Sequence, residues 1–211
     1  MVRKRYGVPI LALALALLFA WTQAALGRSL AFEENIYDMG KMKPRDSVPK
    51  LKEGDPAPDF TLPAVGGGEI FLGQYRGNKN VVISFVPAAW TPVCSDQWPG
   101  YNIARDFFDR SDAILLGITV DNVPTLYAWT NQMGEKLWFP VLSDFWPHGA
   151  VAAKYGVLRS DGVSERALFI IDKRGIIRYI DVHDINERPP LEELVRELQK
   201  LEGEGICSRT Q

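Results

Sequence analysis

The sequence has few of the residues from which metal centres and redox pairs are built. Its 211 residues include two cysteines and two histidines. No Cys-x-x-Cys pair, His-Glu-x-x-His motif or cluster of carboxylates is present, so we predict no metal site. The two histidines also lack the asparagine or aspartate signature of a Cys-His hydrolase, which makes that enzyme class a weak alternative.

An excess of charge of one sign is missing as well. Twenty-four lysines and arginines stand against 26 acidic residues, for a net charge of −2. Without a basic stripe or an acidic tail, nothing predicts nucleic acid or a membrane surface as a partner. No internal repeat occurs, and the part that follows the N-terminal segment has a length that fits one domain.

The N-terminal segment is the one long hydrophobic run. Basic residues at 3–5 precede an almost wholly apolar stretch at 8–21, and small residues follow up to Gly27. This pattern predicts a secretory signal over residues 1–27 and therefore a periplasmic or extracellular protein. An uncleaved membrane anchor over residues 7–26 is the alternative, because that stretch is close to the length that spans a bilayer.

The rest of the chain alternates strands and helices. Residues 28–50 show no periodicity and are predicted to be a linker or arm, residues 51–203 a single domain, and residues 204–211 a flexible tail. Within the domain, two strands around Gly66–Gly68 predict a hairpin. Three strand–helix units, a second hairpin and a final helix follow, and we predict one helix from Cys94 to about Arg110, kinked at Pro99. The order ββ, βα, βα, βα, ββα predicts an α/β thioredoxin-like fold with an N-terminal β-hairpin extension.

Cys94 follows the most apolar strand of this pattern. Residues 81–86 read VVISFV, and Pro87 ends the run. Thr91-Pro92 then predicts an N-cap and a proline at the first helical position, which puts Cys94 in the first turn of a helix. The unpaired amides and the positive end of the helix dipole there favour a thiolate over a thiol. Thr91 occupies the place of the first cysteine of a Cys-x-x-Cys pair, so dithiol exchange at this turn is excluded.

These residues resemble the active-site loop of the peroxiredoxins. The pattern is Pro87-x-x-x-Thr91-x-x-Cys94, with Trp90 before the threonine, and Glu165-Arg166-Ala-Leu-Phe-Ile-Ile is similar to the strand that carries that family's arginine. The segment SDFWPHG at 143–149 is similar to the alkyl hydroperoxide reductase E type of one-cysteine peroxiredoxin. The resemblance spans about residues 51–200 and implies a peroxiredoxin-type three-layer sandwich.

The resemblance implies a thiol-dependent peroxidase with no cofactor. Cys94 would attack a hydroperoxide and become a sulfenic acid, Thr91 would accept a hydrogen bond from the substrate, and Arg166 would stabilise negative charge. Pro87 would shield the sulfur from water. Surface roles remain open for Arg166, through an ion pair with Glu165 or Asp161. The implied partners are a hydroperoxide, a thiol reductant (a thioredoxin-like protein or a small thiol) and a second copy of the chain.

Four further side chains are candidates for roles around Cys94. Gln97 lies one helical turn after it and is predicted to orient Arg166, to line the pocket or to lie on a solvated face of the helix. Trp90 and Trp146 are predicted to wall the site or to form a dimer interface, although most aromatic residues are simply core. Cys207, in the predicted tail, is either a resolving thiol that condenses with oxidised Cys94 or an inert one. A non-peroxidase thioredoxin-like binding module with a structural disulfide remains the alternative function.

Overall fold

The computed structural model describes residues 32–48, 50–134 and 136–207, with side chains up to residue 201. The predicted signal or anchor at 1–27 lies outside these residues, as does the side chain of Cys207. The chain divides into two compact units at Asn35 and Ile36, and 32–35 of the first unit form a helical turn. No helix among the described residues is long and apolar enough to cross a membrane.

The second unit is built on a mixed five-stranded sheet with the order β5-β4-β3-β6-β7. Strands β3, β4 and β5 are parallel, whereas β6 runs antiparallel to β3 and β7 runs antiparallel to β6. This mixed sheet, with helices between its strands, agrees with the predicted α/β thioredoxin-like fold. The strands are β3 Asn80–Phe85, β4 Ala113–Thr119, β5 Val141–Ser143, β6 Ala167–Ile171 and β7 Ile177–Val182.

A separate hairpin precedes the sheet, as predicted. It consists of β1 Thr61–Pro63 and β2 Glu69–Phe71, joined by a turn in which three consecutive glycines adopt positive φ. Such angles cost glycine little because it has no Cβ, which is why the run is compatible with a tight turn. A short 3₁₀ helix, Leu72–Tyr75, leads from the hairpin to the sheet.

Within the described residues, five helices complete the domain, and several of them differ from the prediction. They are α1 Pro92–Gly100, α2 Arg105–Arg110, α3 Val123–Gln132, α4 Ala150–Lys154 and α5 Leu191–Cys207. The predicted single helix from Cys94 to Arg110 is two helices, because Pro99 and Gly100 end the first one rather than kink it. Helix α4 begins only at Ala150, and Asp144 caps it by accepting from the amides of Val151 and Ala152. Helix α5 extends through Cys207, into the predicted tail at 204–211.

The core lies on both faces of β3, all of whose residues are buried. On one face Phe85 contacts the rings of Tyr155 and Phe169. On the other face Trp98 of α1 lies 5.0 Å from Trp129 of α3, measured between ring centroids. Burying each such side chain stabilises the fold by roughly 1.5–3 kcal/mol. This packing fixes α1, and with it Cys94, against the sheet.

Part of the predicted linker or arm is bound along the domain. We call residues 36–48 the strap. It contains no helix or strand, yet its backbone makes hydrogen bonds to residues at three places in the domain: Trp90, Glu165 and Ile185–Asn186. These bonds place the strap beside the segment that carries Cys94.

Candidate active site

Cys94 is the third residue of α1 and is completely buried. Pro92 occupies the first helical position, and the amide of Ser95 donates to the carbonyl of Thr91 at 2.9 Å, which closes the first turn. The sulfur therefore belongs to a turn whose early amides have no partner within the helix. The structure records Cys94 as a free thiol.

Thr91 is at the N-cap position of α1 but does not cap it with its side chain. Its hydroxyl instead donates to the carbonyl of Ala88 at 2.9 Å. Since a hydroxyl has one hydrogen and two lone pairs, a group that donates in this way can still accept from a bound substrate. Thr91 thus occupies the predicted N-cap position, but its hydroxyl bonds to the preceding loop and not to the helix.

Arg166 immediately precedes β6, and its side chain contacts the sulfur of Cys94. Its Nη2 donates to Cys94 Sγ at 3.5 Å, and both side chains are buried. The carbonyl of Ile185 holds the guanidinium by accepting from Nε at 3.2 Å and from Nη2 at 2.9 Å. The alternative surface ion pair of Arg166 is wrong, since Arg159 is the partner of both Glu165 and Asp161.

Gln97 connects Arg166 to a second buried network. Its Oε1 accepts from Arg166 Nη1 at 2.5 Å, while its Nε2 donates to Tyr101 Oη at 2.8 Å and to Ser84 Oγ at 3.4 Å. Burial raises the pKa of Tyr101, so its hydroxyl stays protonated. Of the roles predicted for Gln97, the geometry favours orientation of Arg166. The Gln97 side chain is fully buried, and it is not among the residues that line the cavity described next.

Ser84 and Tyr101 were not identified from the sequence. Ser84 was the more visible of the two, because it is the single polar residue inside the apolar run at 81–86. It also accepts from the indole of Trp98 at 3.3 Å, and so ties β3 to α1.

A cavity of about 370 Å³ opens beside this cluster. Pro87, Thr91 and Arg166 line it together with part of the strap. Trp90 is half-buried beside the strap. The backbone amide of Tyr37 in the strap donates to the carbonyl of Trp90 at 2.7 Å. The predicted position of Trp146 in the pocket wall is wrong. Trp146 is 70% exposed, its ring packs against His148, and it is not among the residues that line the cavity.

Neither histidine is placed for a Cys-His mechanism. His148 stacks on Trp146 at the surface, and His183 Nδ1 lies 3.2 Å from the carboxylate of Asp181. Arg166 donates to the sulfur instead, and Gln97 accepts from Arg166. Among the described residues, no group of three or more histidine, cysteine or acidic side chains is arranged to bind a metal.

Comparisons with known proteins agree with this geometry. The model of the AhpC/TSA family matches residues 53–180. Alkyl hydroperoxide reductase E from Mycobacterium tuberculosis is 39% identical over 138 residues, which cover 65% of this chain and 89% of that protein. Peroxiredoxin-2 from Cricetulus griseus is 36% identical over 158 residues, or 71% of this chain and 78% of that one. The reduced 2-Cys peroxiredoxin of Plasmodium vivax superposes with a TM-score of 0.69 at 29% identity, covering 74% of this chain and 84% of that structure. The chain belongs to the AhpC/TSA family and is a peroxiredoxin, a thiol-dependent peroxidase.

Proposed function

We propose that Cys94 is the peroxidatic residue of this peroxidase and that Arg166 and Thr91 act on the same substrate. The observation that carries the proposal is the 3.5 Å contact between Arg166 Nη2 and Cys94 Sγ at the start of a helix. The guanidinium and the amides at the helix start both put positive charge beside the sulfur, where negative charge develops during the reaction. Pro87 lies in the same cavity wall and excludes water from the sulfur.

The reaction transfers one oxygen atom to the sulfur. The thiolate of Cys94 attacks the hydroxyl oxygen of the hydroperoxide, so that an S–O bond forms and the O–O bond breaks. The other oxygen leaves as alkoxide or hydroxide and takes up a proton, giving an alcohol or water, and Cys94 becomes a sulfenic acid. Thr91 Oγ accepts from the substrate O–H, and Arg166 stabilises the charge that grows along the breaking bond.

Two thiols then return the enzyme to its starting state. The first condenses with the sulfenic acid and releases water, and the second reduces the resulting mixed disulfide. We propose either a thioredoxin-like protein or a small thiol as the reductant, with Cys207 as the first thiol if it reaches Cys94 within the chain or across a homodimer. The N-terminal segment at 1–27 supports export to the periplasm or the cell exterior, or anchoring through residues 7–26.

Stopped-flow tryptophan fluorescence on peroxide addition tests the assignment. Cys94→Ser should abolish the fast signal, and Arg166→Ala should slow it about 10²–10³-fold, as expected for the loss of one charge-stabilising donor. Thr91→Val should also slow it strongly. Thr130→Val is the matched control, because the Thr130 hydroxyl likewise donates to a backbone carbonyl, that of Leu126 at 2.8 Å, but in α3.

A near wild-type rate in Arg166→Ala would remove that residue from the mechanism. The fate of Cys207 is read separately, by non-reducing electrophoresis and peptide mapping after peroxide treatment. A Cys94–Cys207 disulfide supports the resolving role, whereas over-oxidised Cys94 with a free Cys207 identifies a one-cysteine enzyme.

A further inference from the structure

The cavity beside Cys94 is much larger than the peroxide group that reacts there. Its volume of about 370 Å³ is roughly a dozen times the ~30 Å³ that one water molecule occupies in the liquid. It falls instead in the range of small-molecule binding sites. Thr91 and Arg166 supply the polar lining at the end nearest Cys94, and Asp38, Lys41, Asn186 and Glu187 add polar groups elsewhere in the wall. The space beyond Thr91 and Arg166 can surround the rest of the substrate.

The walls of that remaining space are largely apolar. Pro92 and Val93 come from the start of α1, and Ile185 comes from the loop that follows β7. Met39 and Met42 come from the strap. Methionine is flexible and polarisable, and therefore suits a wall that contacts apolar groups of varied shape.

The strap is held on both sides of its cavity-lining part. On one side the Tyr37 amide donates to the Trp90 carbonyl at 2.7 Å. On the other side Met42 pairs in both directions with the Asn186 side chain: its amide donates to Oδ1 at 2.8 Å, and its carbonyl accepts from Nδ2 at 3.0 Å. Residues 38–41 therefore bridge the cavity between two fixed points.

A buried carboxylate anchors the strap further along. Glu165 is fully buried, and its Oε1 accepts from the amides of Asp46 and Ser47 at 2.6 and 2.7 Å. Its Oε2 accepts from Arg159, which also donates to the Lys43 carbonyl at 3.2 Å. A segment without helix or strand thus has a defined position on the domain.

The loop at 184–187 joins the strap to the catalytic arginine. The Ile185 carbonyl holds the Arg166 guanidinium, whereas the Ile185 amide donates to the Pro44 carbonyl of the strap at 3.1 Å. The wall of the cavity and the group that stabilises charge in it are therefore fixed by the same residue.

We propose that the strap is the specificity element of this peroxidase, and that its Met39 and Met42 bind the apolar organic group of a hydroperoxide whose O–O bond lies against Cys94. The inference rests on the proposed function of Cys94. The strap lies outside residues 53–180, the part that the family model matches. The proposed preference thus comes from residues that the family model does not match.

The test compares two substrates in the full chain. Stopped-flow fluorescence gives the second-order rate constants for oxidation by cumene hydroperoxide and by hydrogen peroxide, and their ratio measures recognition of the organic group. In Met39→Ala/Met42→Ala the ratio should fall about tenfold, the effect expected when a few apolar contacts are lost. Asn186→Ala, which releases Met42 but keeps both methionines, should lower the ratio in the same direction.

Ile103→Ala is the matched control, because Ile103 is an apolar side chain that is 81% exposed and does not line the cavity. It should keep the wild-type ratio. A wild-type ratio in both Met39→Ala/Met42→Ala and Asn186→Ala, with Cys94 still oxidised by hydrogen peroxide, would overturn the strap proposal alone. If neither hydrogen peroxide nor cumene hydroperoxide oxidises Cys94 in the wild type, the proposed function itself fails.

Discussion

Two arginines seven positions apart show how a buried cation is used for structure and for chemistry. Arg159 and Arg166 are both buried. Arg159 faces two carboxylates, those of Glu165 at 2.9 Å and Asp161 at 3.2 Å. Burial alone would lower the pKa of Arg159, but the bonds to these carboxylates outweigh it and raise the pKa.

Arg166 has neutral partners instead. Its hydrogen bonds go to the Gln97 side chain, the Ile185 carbonyl and the sulfur of Cys94, and none of the ion pairs found in the described part of the chain includes it. Neutral dipoles fix the guanidinium without cancelling its charge. Carboxylates within the fold neutralise the charge of Arg159, whereas the charge of Arg166 is available to stabilise the sulfur and the leaving oxygen during the reaction.

The largest expected effect is on stability, at Arg159. Arg159→Met removes one member of a buried ion pair and leaves Glu165 with an uncompensated charge, which should lower the free energy of unfolding by about 3–5 kcal/mol. Denaturant titration measures the loss. Oxidation of the folded fraction by hydrogen peroxide should continue at close to the wild-type rate.

Arg174→Met is the control, since Arg174 pairs with Asp172 through a side chain that is 71% exposed. Loss of an exposed pair should cost at most about 1 kcal/mol. Equal costs at the two positions would contradict the structural role of Arg159.

A middle-sized effect is expected when Arg166 is given the kind of partner that Arg159 has. Gln97→Glu puts a carboxylate 2.5 Å from Arg166 Nη1 in place of the amide oxygen. The added negative charge should disfavour the thiolate and slow the oxidation of Cys94 about tenfold, or 1.4 kcal/mol in the barrier. Stopped-flow fluorescence measures the rate constant.

Gln97→Met separates charge from geometry, because it removes the amide without adding a carboxylate. The Met variant should be slowed less than the Glu variant. If the two are slowed equally, Gln97 acts only by holding Arg166 in place, and the neutrality of its side chain has no importance.

The smallest effect extends the comparison to a surface carboxylate. Hydrogen bonds from Lys173 and then Lys79 hold the pKa of Asp112 below its ordinary value of 3.8. The ionised carboxylate thus stabilises the fold fully above pH 3.8, and this contribution is lost as the pH falls through the lowered pKa. Asp112→Asn should remove up to about 1 kcal/mol at neutral pH.

Urea titrations at neutral pH and at pH values below 3.8 test this sign. The difference between Asp112→Asn and the wild type should shrink as the medium becomes more acidic. A difference that grows on acidification would contradict the lowered pKa.

The residues nearest to the chemistry could be predicted because their signals are local. A buried strand, a proline-led helix and the Thr91-x-x-Cys94 spacing all lie within 20 positions, and Arg166 marks the start of another recognisable strand. Gln97 could be predicted from its helical spacing alone. The contacts of Ser84 and Tyr101 could not, because they depend on how α1 packs on β3.

The strap and Trp146 were less predictable for a related reason. The strap has no periodicity, and backbone groups pairing with Glu165 and Asn186 fix it, which no residue pattern reveals. Trp146 resembles a core residue by type, but it follows the strand end at Ser143 in a loop that faces outward. Long-range contacts decided both positions.

The complete burial of Cys94 makes the two halves of the catalytic cycle unequal. Because Cys94 has no exposed surface, a small peroxide needs only a slight displacement of the side chains between the cavity and the sulfur, whereas a bulkier thiol reductant needs a wider opening. We therefore expect α1 to open before reduction, and Pro99, which cannot donate to the carbonyl one turn back, weakens the helix at this point. Each 1.4 kcal/mol by which the closed state is stabilised relative to the open state lowers the population of accessible sulfenic acid about tenfold. A more stable α1 would keep the oxidised sulfur longer within reach of a second peroxide, which converts it to sulfinic acid. A change that stabilises α1 would therefore shorten the time for which the enzyme stays active in the presence of peroxide.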